Sequence, residues 1–182
     1  SDVAWLDEVA ARAVWCAGGR PGDLLLECMN YSLYVGGLTD HLGFEHAGLC
    51  VLPYGVGNSS RLLALVRAMG VPWSLYSTPA YALRLAEVAR AEGLEPRELG
   101  LVKGFFSGEA GLQLPGFRAR IEEAWGCTAQ DIYGLSETGV MGAECEHRTG
   151  LHLLVRGWFA VELVEPATGA PLPLADGAEG EL

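Results

Sequence analysis

The stretch VPWSLYSTPAYALRLAEVARAEGLEPRELGLVKGFFSG, residues 71–108, contains an apolar run, a helical pattern and a second apolar run, in that order. The two apolar runs, at residues 73–77 and 101–108, have the length of buried strands. Between them, Thr78 can cap a helix that has proline at the favoured first position, and Gly93 ends the helical pattern. A strand–helix–strand unit of this kind predicts two parallel strands joined by a crossover helix.

The same alternation continues on both sides of this unit. The other predicted elements are helix 2–17, strand 24–29, helix 38–47, strand 49–53, helix 59–69, helix 115–125 and strand 129–136. Either Asn58 or Ser59 can cap the helix that runs to Met69. Strands that alternate with helices predict an α/β fold with a mostly parallel sheet flanked by helices on both faces. After Gly150 the runs become β-rich around the turn EPATGAPLP, which predicts a short antiparallel β appendage at the C-terminus. We therefore divide the chain into an α/β subdomain, residues 1–150, and the start of a β-rich subdomain, residues 151–182.

Composition and charge limit the classes of partner. The 182 residues carry a net charge of -11, and Lys103 is the only lysine. Binding to nucleic acid needs a basic surface, and an anionic membrane would repel this chain. We therefore expect a small molecule or a protein as partner, with a homodimer as one hypothesis, and neither nucleic acid nor a membrane. Five cysteines without disulfide spacing, together with no signal peptide, indicate the cytoplasm.

Polar and aromatic clusters follow four of the predicted strands. They are NYSLYVGGLTDH at residues 30–41, STPAY at 77–81, FSGEAG at 106–111 and YGLSETG at 133–139. In an open parallel sheet, ligands bind outside the carboxyl ends of the strands, where loops and helix N-termini gather. The four clusters are therefore expected to converge on one binding site.

The sequence YGLSE, residues 133–137, is the most specific of these chemical signals. The Tyr133 ring can stack on an adenine face, and Gly134 lets the backbone come close to a nucleotide. The Ser136 hydroxyl can hydrogen-bond a phosphate oxygen, and the Glu137 carboxylate suits the magnesium that accompanies ATP. The pattern favours a nucleotide site, while a strand-to-loop turn with an exposed Ser–Glu cap is the alternative.

These residues resemble the Tyr-Gly-x-Ser/Thr-Glu motif of the adenylate-forming enzymes. Further segments are similar, in the same order, to blocks of the phenylacetate–coenzyme A ligase and coenzyme F390 synthetase family. The segments are GGLTDHLGFEHAG, TPAYALRLAEVA, FFSGEAG, AECEHRTGLH and VELVEPATGAPLPLADGAEGEL. The resemblance extends from about Asp2 to Leu182.

The resemblance implies roles for individual residues. Ser136 would contact the phosphate of an acyl-adenylate, and Glu137 would bind magnesium, so that both take part in catalysis. The residues implied to bind the adenine nucleotide are Ser107, Gly108, Glu109, Ala110, Tyr133 and Gly134. The residues implied to form the acid pocket are Tyr31, Tyr34, Gly36, His41 and Tyr81. For Tyr31 and Tyr34, a role as ordinary core or rim aromatics stays open.

A separate candidate site is the cluster of Cys145, His147 and His152. One thiolate and two imidazoles close together in the chain could provide three zinc ligands. The spacing differs from that of paired zinc fingers, and free cysteines are often simply buried. Both interpretations stay open.

The family resemblance implies an ATP-dependent carboxylic acid–coenzyme A ligase that acts on an aryl acid such as phenylacetate through an acyl-adenylate. The family's phosphate loop, its Arg-x-x-Asp segment and its C-terminal lid domain with the catalytic lysine are not found in the 182 residues. We therefore interpret the chain as a central fragment of the ligase N-terminal domain and expect the isolated chain to be inactive. Two alternatives stay open: an adenylating enzyme with an acceptor other than coenzyme A, similar to coenzyme F390 synthetases, and a non-catalytic nucleotide-binding domain.

Overall fold

Helices and strands alternate along the chain in the computed structural model, which describes residues 2–114 and 116–182. The helices are α1 Asp2–Cys16, α2 Gly36–His46, α3 Ser59–Met69, α4 Pro79–Ala91 and α5 Phe117–Trp125, with a short 3₁₀ helix at Pro96–Leu99. The strands are β1 Leu24–Glu27, β2 Cys50–Pro53, β3 Trp73–Ser77, β4 Leu101–Phe106, β5 Thr128–Leu135, β6 Gly139–Glu144, β7 Leu151–Leu153, β8 Leu163–Val164 and β9 Pro171–Leu172. Across the described residues, no helix combines the length and the apolar character that a membrane span requires.

The main sheet has seven strands in the order β2–β1–β3–β4–β5–β6–β7. The pairs from β2 to β5 are parallel, and the pairs that β6 makes with β5 and β7 are antiparallel. Strands β8 and β9 pair antiparallel in a separate small sheet. These pairings confirm the predicted mostly parallel sheet and the short antiparallel appendage.

Alternate strand positions contribute to two hydrophobic cores, one on each face of the sheet. Leu26 belongs to the core that includes Leu62, Leu85 and Trp125, from α3, α4 and α5. The neighbouring Leu25 belongs to the core formed with α1 and α2. The division follows because successive side chains of a strand point to opposite faces of its sheet. Helices therefore flank the sheet on both faces, as predicted.

Two helix starts that capping residues predict are confirmed. Asn58 precedes α3, and its side-chain oxygen accepts a hydrogen bond from the backbone N–H of Arg61 at 3.1 Å. Thr78 precedes α4, and its hydroxyl oxygen accepts a hydrogen bond from the backbone N–H of Tyr81 at 3.3 Å. Each cap satisfies a free donor of the first turn and fixes where the chain turns at the carboxyl edge of the sheet.

Helix α2 begins at Gly36, two residues before the predicted start at residue 38. The chain after β1 lies so close to this first turn that a Cβ on Gly37 would be 2.3 Å from the Asn30 carbonyl oxygen. Only glycine allows that approach, and apolar periodicity carries no information about it. The predicted start of α5 at Pro115 lies outside the described residues.

The hairpin of β5 and β6 corrects the sequence prediction, which contains no strand at β6. Glycines in the sequence GVMGAE weaken the strand pattern there, since glycine is depleted in strands. Strand β7 pairs with β6, so the first strand after Gly150 continues the main sheet. The subdomain boundary at residue 150 stays a prediction.

The contact between α1 and α2 is unusually close at one point. A Cβ on Gly43 would lie 2.2 Å from the Ala10 Cβ and 3.1 Å from the Asp7 carbonyl oxygen. The next residue, Phe44, is fully buried, and its ring meets the Tyr76 ring edge-to-face at 4.8 Å between centroids. Gly43 therefore lets α2 pack closely against α1.

Replacing Gly43 with alanine should lower the free energy of unfolding by about 1–3 kcal/mol, because the added methyl overpacks the α1–α2 contact. The higher helix propensity of alanine, about 1 kcal/mol, would favour the opposite result. Urea unfolding followed by far-UV circular dichroism measures the balance. Leu38→Ala on the exposed side of α2 is the control, with an expected change below about 0.5 kcal/mol. A Gly43→Ala protein as stable as the parent would contradict the packing argument.

Candidate active site

A cleft of about 660 Å³ opens at the carboxyl edge of the parallel strands. Each of the four predicted polar clusters contributes to its lining, as Asn30, Thr78, Ser107 and Ser136 illustrate. The structure therefore brings together segments that lie more than one hundred residues apart in the sequence. Its volume is in the range of small-molecule sites, roughly 300–1,000 Å³.

The β5–β6 hairpin forms one wall of the cleft. Segment 134–137 lines the cleft, and both Ser136 and Glu137 are exposed to it and to solvent. A Cβ on Gly134 would lie 2.7 Å from a carbonyl oxygen of the opposite strand, so the tight hairpin requires glycine there. Tyr133 is 42% exposed and is not among the lining residues. The hairpin thus presents a hydroxyl and a carboxylate to the cleft, with the tyrosine beside it.

The segment after β4 divides between the cleft and its rim. Ser107 and Gly108 line the cleft, whereas Glu109 and Ala110 are exposed and do not. The Glu109 carboxylate accepts a hydrogen bond from the backbone N–H of Ala80 at 2.6 Å, in the first turn of α4. A carboxylate is favourable at a helix N-terminus, so this contact holds the segment against α4.

The predicted acid pocket also divides into two groups. Tyr34, Gly36 and Tyr81 line the cleft. Tyr31 and His41 do not, and instead the Tyr31 hydroxyl and His41 Nδ1 form a hydrogen bond of 2.9 Å. Tyr81 is half-buried, and its hydroxyl lies 3.3 Å from the Ser59 hydroxyl at the start of α3.

Sequence reasoning missed Glu27, a buried carboxyl at the end of β1. The residue is 0% exposed, and neither carboxyl oxygen has a hydrogen-bond partner among the residues that the structure describes. His41 Nδ1 lies 3.8 Å from Glu27 Oε2. Burial, followed by the negative charge of Asp40, raises the pKa of Glu27 to about 9, so this carboxyl is protonated at neutral pH. One glutamate after three leucines is a weak signal, because the sequence does not report how deeply a strand end is buried.

Asp40 in α2 is a second missed carboxyl, and it lines the cleft. It is 5% exposed and accepts a hydrogen bond from the Tyr76 hydroxyl at 2.5 Å, and the Thr39 hydroxyl lies 3.3 Å from its Oδ1. Burial raises the pKa of Asp40 to about 6. The sequence does not identify this aspartate, because its contact with Tyr76 joins residues 36 positions apart.

A polar network anchors the hairpin to α5. The Glu144 carboxylate accepts the backbone N–H of Asp131 at 3.0 Å and pairs with the Arg118 guanidinium at 2.8 Å. The side-chain amide of Gln113 donates to the Asp131 carboxylate. Burial, followed by the charge of Glu144, raises the pKa of Asp131 to about 6. These contacts fix the strand that carries the YGLSE segment.

The predicted zinc ligands meet only in part. His152 Nε2 lies 3.1 Å from Cys145 Sγ. Within residues 2–114 and 116–182, however, no group of three or more His, Cys, Asp or Glu side chains is arranged to hold a metal ion, so His147 does not complete a set. The expectation of a three-ligand zinc site is therefore not supported by the arrangement.

Curated proteins named phenylacetate–coenzyme A ligase are similar to the chain over nearly its whole length. Those from Pseudomonas putida and Escherichia coli (strain K12) are 36% and 37% identical over 100% of the chain, and the one from Thermus thermophilus is 36% identical over 95%. The chain spans only 41%, 41% and 39% of these relatives. No protein-family model matches the chain.

Solved structures give the same relationship. An open conformation of 2-hydroxyisobutyryl-CoA ligase in complex with 2-HIB-AMP and CoA matches 94% of this chain at 36% identity with a TM-score of 0.86, and the match covers 38% of that protein. Apo MatB from Rhodopseudomonas palustris matches 92% of this chain with a TM-score of 0.63 at 18% identity, which shows a likeness of fold alone.

Glu27 makes stability depend on pH with a defined sign. Its pKa is raised from 4.5 to about 9 in the folded protein, so folding favours the protonated form, and the free energy of unfolding should fall as pH rises between about 5 and 9. The slope should be on the order of 1 kcal/mol per pH unit. Glu27→Gln should flatten it in urea unfolding at pH 5 to 8. The exposed Glu123→Gln serves as control, and equal slopes for parent and Glu27→Gln would contradict the assignment.

Proposed function

We propose, from the homology of this chain to the phenylacetate–coenzyme A ligases, that it forms the acid- and adenylate-binding part of an ATP-dependent carboxylic acid–coenzyme A ligase. In the proposed reaction a carboxylate oxygen attacks the α-phosphorus of ATP, pyrophosphate leaves and an acyl-adenylate forms. The coenzyme A thiol then attacks the acyl carbon, loses its proton and displaces AMP. An aryl acid such as phenylacetate is the proposed substrate class.

One observation carries the proposal: segment 134–137 of the hairpin and three of the five predicted acid-pocket residues line the same cleft. Ser136 and Glu137 lie on the hairpin wall, and the cleft is also lined by Tyr34 just before α2, Gly36 at the start of α2 and Tyr81 in α4. An acyl-adenylate needs a polar region for its phosphate beside an apolar region for its acyl group. A single cleft that offers both supports this chemistry.

The hairpin residues have distinct proposed roles. The Ser136 hydroxyl donates a hydrogen bond to a phosphate oxygen of the adenylate. Gly134 has no side chain, so the protein backbone can come close to the nucleotide. Tyr133, exposed beside the cleft, stacks on the adenine base. Ser107, Gly108, Glu109 and Ala110 border the base from the neighbouring strand.

Magnesium is implied by ATP chemistry, and the donor set is compatible with it. Glu137 is an exposed carboxylate in the cleft, and Mg²⁺ is commonly held by one or two carboxylates together with nucleotide phosphates and waters. When bound there, the ion would neutralise phosphate charge. Glu137 would hold it, and Ser136 would orient the phosphate beside it.

The chain on its own has few groups to balance phosphate charge. Among the described residues, the cleft lining includes the carboxylates of Asp40 and Glu137 and no lysine, arginine or histidine. Charge that develops on a transferring phosphoryl group needs preorganised cations and donors. We therefore expect the isolated 182-residue chain to lack turnover, and activity tests belong to the full-length polypeptide that carries it.

The full-length polypeptide should catalyse phenylacetate-dependent exchange of labelled pyrophosphate into ATP. Glu137→Gln should lower the exchange rate by about 100-fold, because the carboxylate that would hold magnesium becomes neutral. Glu146→Gln, an exposed carboxylate outside the cleft, is the matched control and should retain the parent rate. Exchange that is independent of every carboxylic acid tested would contradict the proposed function.

Tyr133→Ala should raise the KM for ATP in the same exchange assay by roughly 5- to 100-fold, the loss expected for one base–aromatic stack. Tyr133→Phe should keep the affinity, because the ring and not the hydroxyl makes the stack. An unchanged KM for ATP in Tyr133→Ala would remove Tyr133 from the nucleotide site.

Release of AMP on addition of coenzyme A tests the acceptor. Stoichiometric formation of acyl-coenzyme A and AMP supports the ligase. Pyrophosphate exchange without any thioester product would favour an adenylating enzyme with a different acceptor.

A further inference from the structure

The cleft carries one buried charged group that the proposed adenylation chemistry does not use. Asp40 lies in the second turn of α2, 5% exposed, and its side chain belongs to the cleft lining. It is remote in sequence from the YGLSE hairpin. A buried carboxylate is costly unless hydrogen bonds or a positive charge compensate it, so its partners decide its role.

The partners of Asp40 leave acceptor positions free. The Tyr76 hydroxyl donates to Oδ2 at 2.5 Å. The Thr39 hydroxyl lies 3.3 Å from Oδ1, but its one proton has a shorter acceptor in the Val35 carbonyl oxygen at 3.0 Å. A carboxylate has about four acceptor sites, so each oxygen can accept a further hydrogen bond. No ion pair formed by the described residues includes Asp40.

The electrostatic surroundings increase the demand for a donor. Asp40 is 5% exposed, and burial raises its pKa because the charged form loses hydration. The cleft lining combines apolar side chains, among them Met29, Tyr34 and Val56, with the hydroxyls of Thr78 and Ser107. A donor from a ligand would therefore meet a carboxylate of low hydration, where a hydrogen bond to a charged group is strong.

Sites of this composition select by the polar group. A pocket with a buried acceptor in its wall binds a ligand that offers a donor more tightly than an analogue without one, because the acceptor is left unpaired when the analogue binds.

We propose that Asp40 is a specificity-determining residue that selects a carboxylic acid carrying a hydrogen-bond donor, a hydroxyl or an amino group, on its acyl part. This inference rests on the proposed function, since it assigns the acid bound in the same cleft. Phenylacetate, which has no such donor, is then accepted with a lower kcat/KM than an analogue that carries one.

The experiment compares matched acids in pyrophosphate exchange by the full-length polypeptide. The probes are phenylacetate, the three hydroxyphenylacetates and 4-(aminomethyl)phenylacetate. At least one donor-bearing acid should exceed phenylacetate in kcat/KM by about 10- to 100-fold. In Asp40→Ala this ratio should collapse towards one, with kcat/KM for phenylacetate kept or raised.

Asp40→Asn distinguishes a hydroxyl donor from an ammonium donor, because asparagine keeps an acceptor oxygen but has no negative charge. Its side chain is nearly isosteric with aspartate, so the variant is expected to fold. It should keep the preference for a hydroxyl and lose the preference for an ammonium group. Tyr76→Phe removes the hydroxyl that holds Oδ2 while retaining the ring, and should leave the preference in place. Circular dichroism and thermal unfolding monitor the fold of each variant.

The outcomes are distinct. Exchange with phenylacetate equal to or better than with every donor-bearing acid would overturn the inference alone. An equal loss of kcat/KM for all acids in Asp40→Ala and Asp40→Asn would make Asp40 a structural partner of Tyr76 and would also overturn it. Absence of exchange with any acid would overturn the proposed function, and the inference with it.

Discussion

The parallel register of β1 to β5 is the constraint on which the rest of the structure depends. Because these strands run in one direction, the segments that follow them all leave the sheet along one edge. Helices cover both faces through two separate hydrophobic cores, so that edge is where polar side chains can gather. The cleft therefore forms at this edge, and its lining includes residues as far apart in the sequence as Asn30 and Glu137.

The cleft lining is negatively charged, whereas adenylation requires positive groups near the phosphates. The lining presents carboxylates, and the whole chain has a net charge of -11. An adenylation site concentrates further negative charge on phosphate, which positive groups must balance. The chain spans about 40% of the length of its curated relatives. In the proposed ligase, positive charge would have to come from a magnesium ion held by Glu137 and from groups outside the described lining.

Buried carboxyls near the acid end of the cleft carry a cost that packing must offset. Glu27 and Asp40 are both buried, and burial disfavours the charged form of each carboxyl. The close approach of Gly43 to Ala10 and the ring contact of Phe44 with Tyr76 pack α2, which carries Asp40, against α1 and the sheet. Local departures of this kind from a purely apolar interior are typical of binding sites, where recognition is favoured over stability.

Local patterns in the sequence were sufficient for the sheet type, the caps at Asn58 and Thr78 and the presence of Ser136 and Glu137 at the carboxyl edge. Periodicity, capping and short motifs involve neighbours in the chain, so the sequence alone determined them. Tertiary packing decided that His41 contacts Tyr31 outside the cleft lining, that Glu27 is buried, and that Asp40 meets a tyrosine 36 residues away. Those features depend on which elements stack on one another, and solvent exposure and long-range contacts arise only when the whole chain has folded.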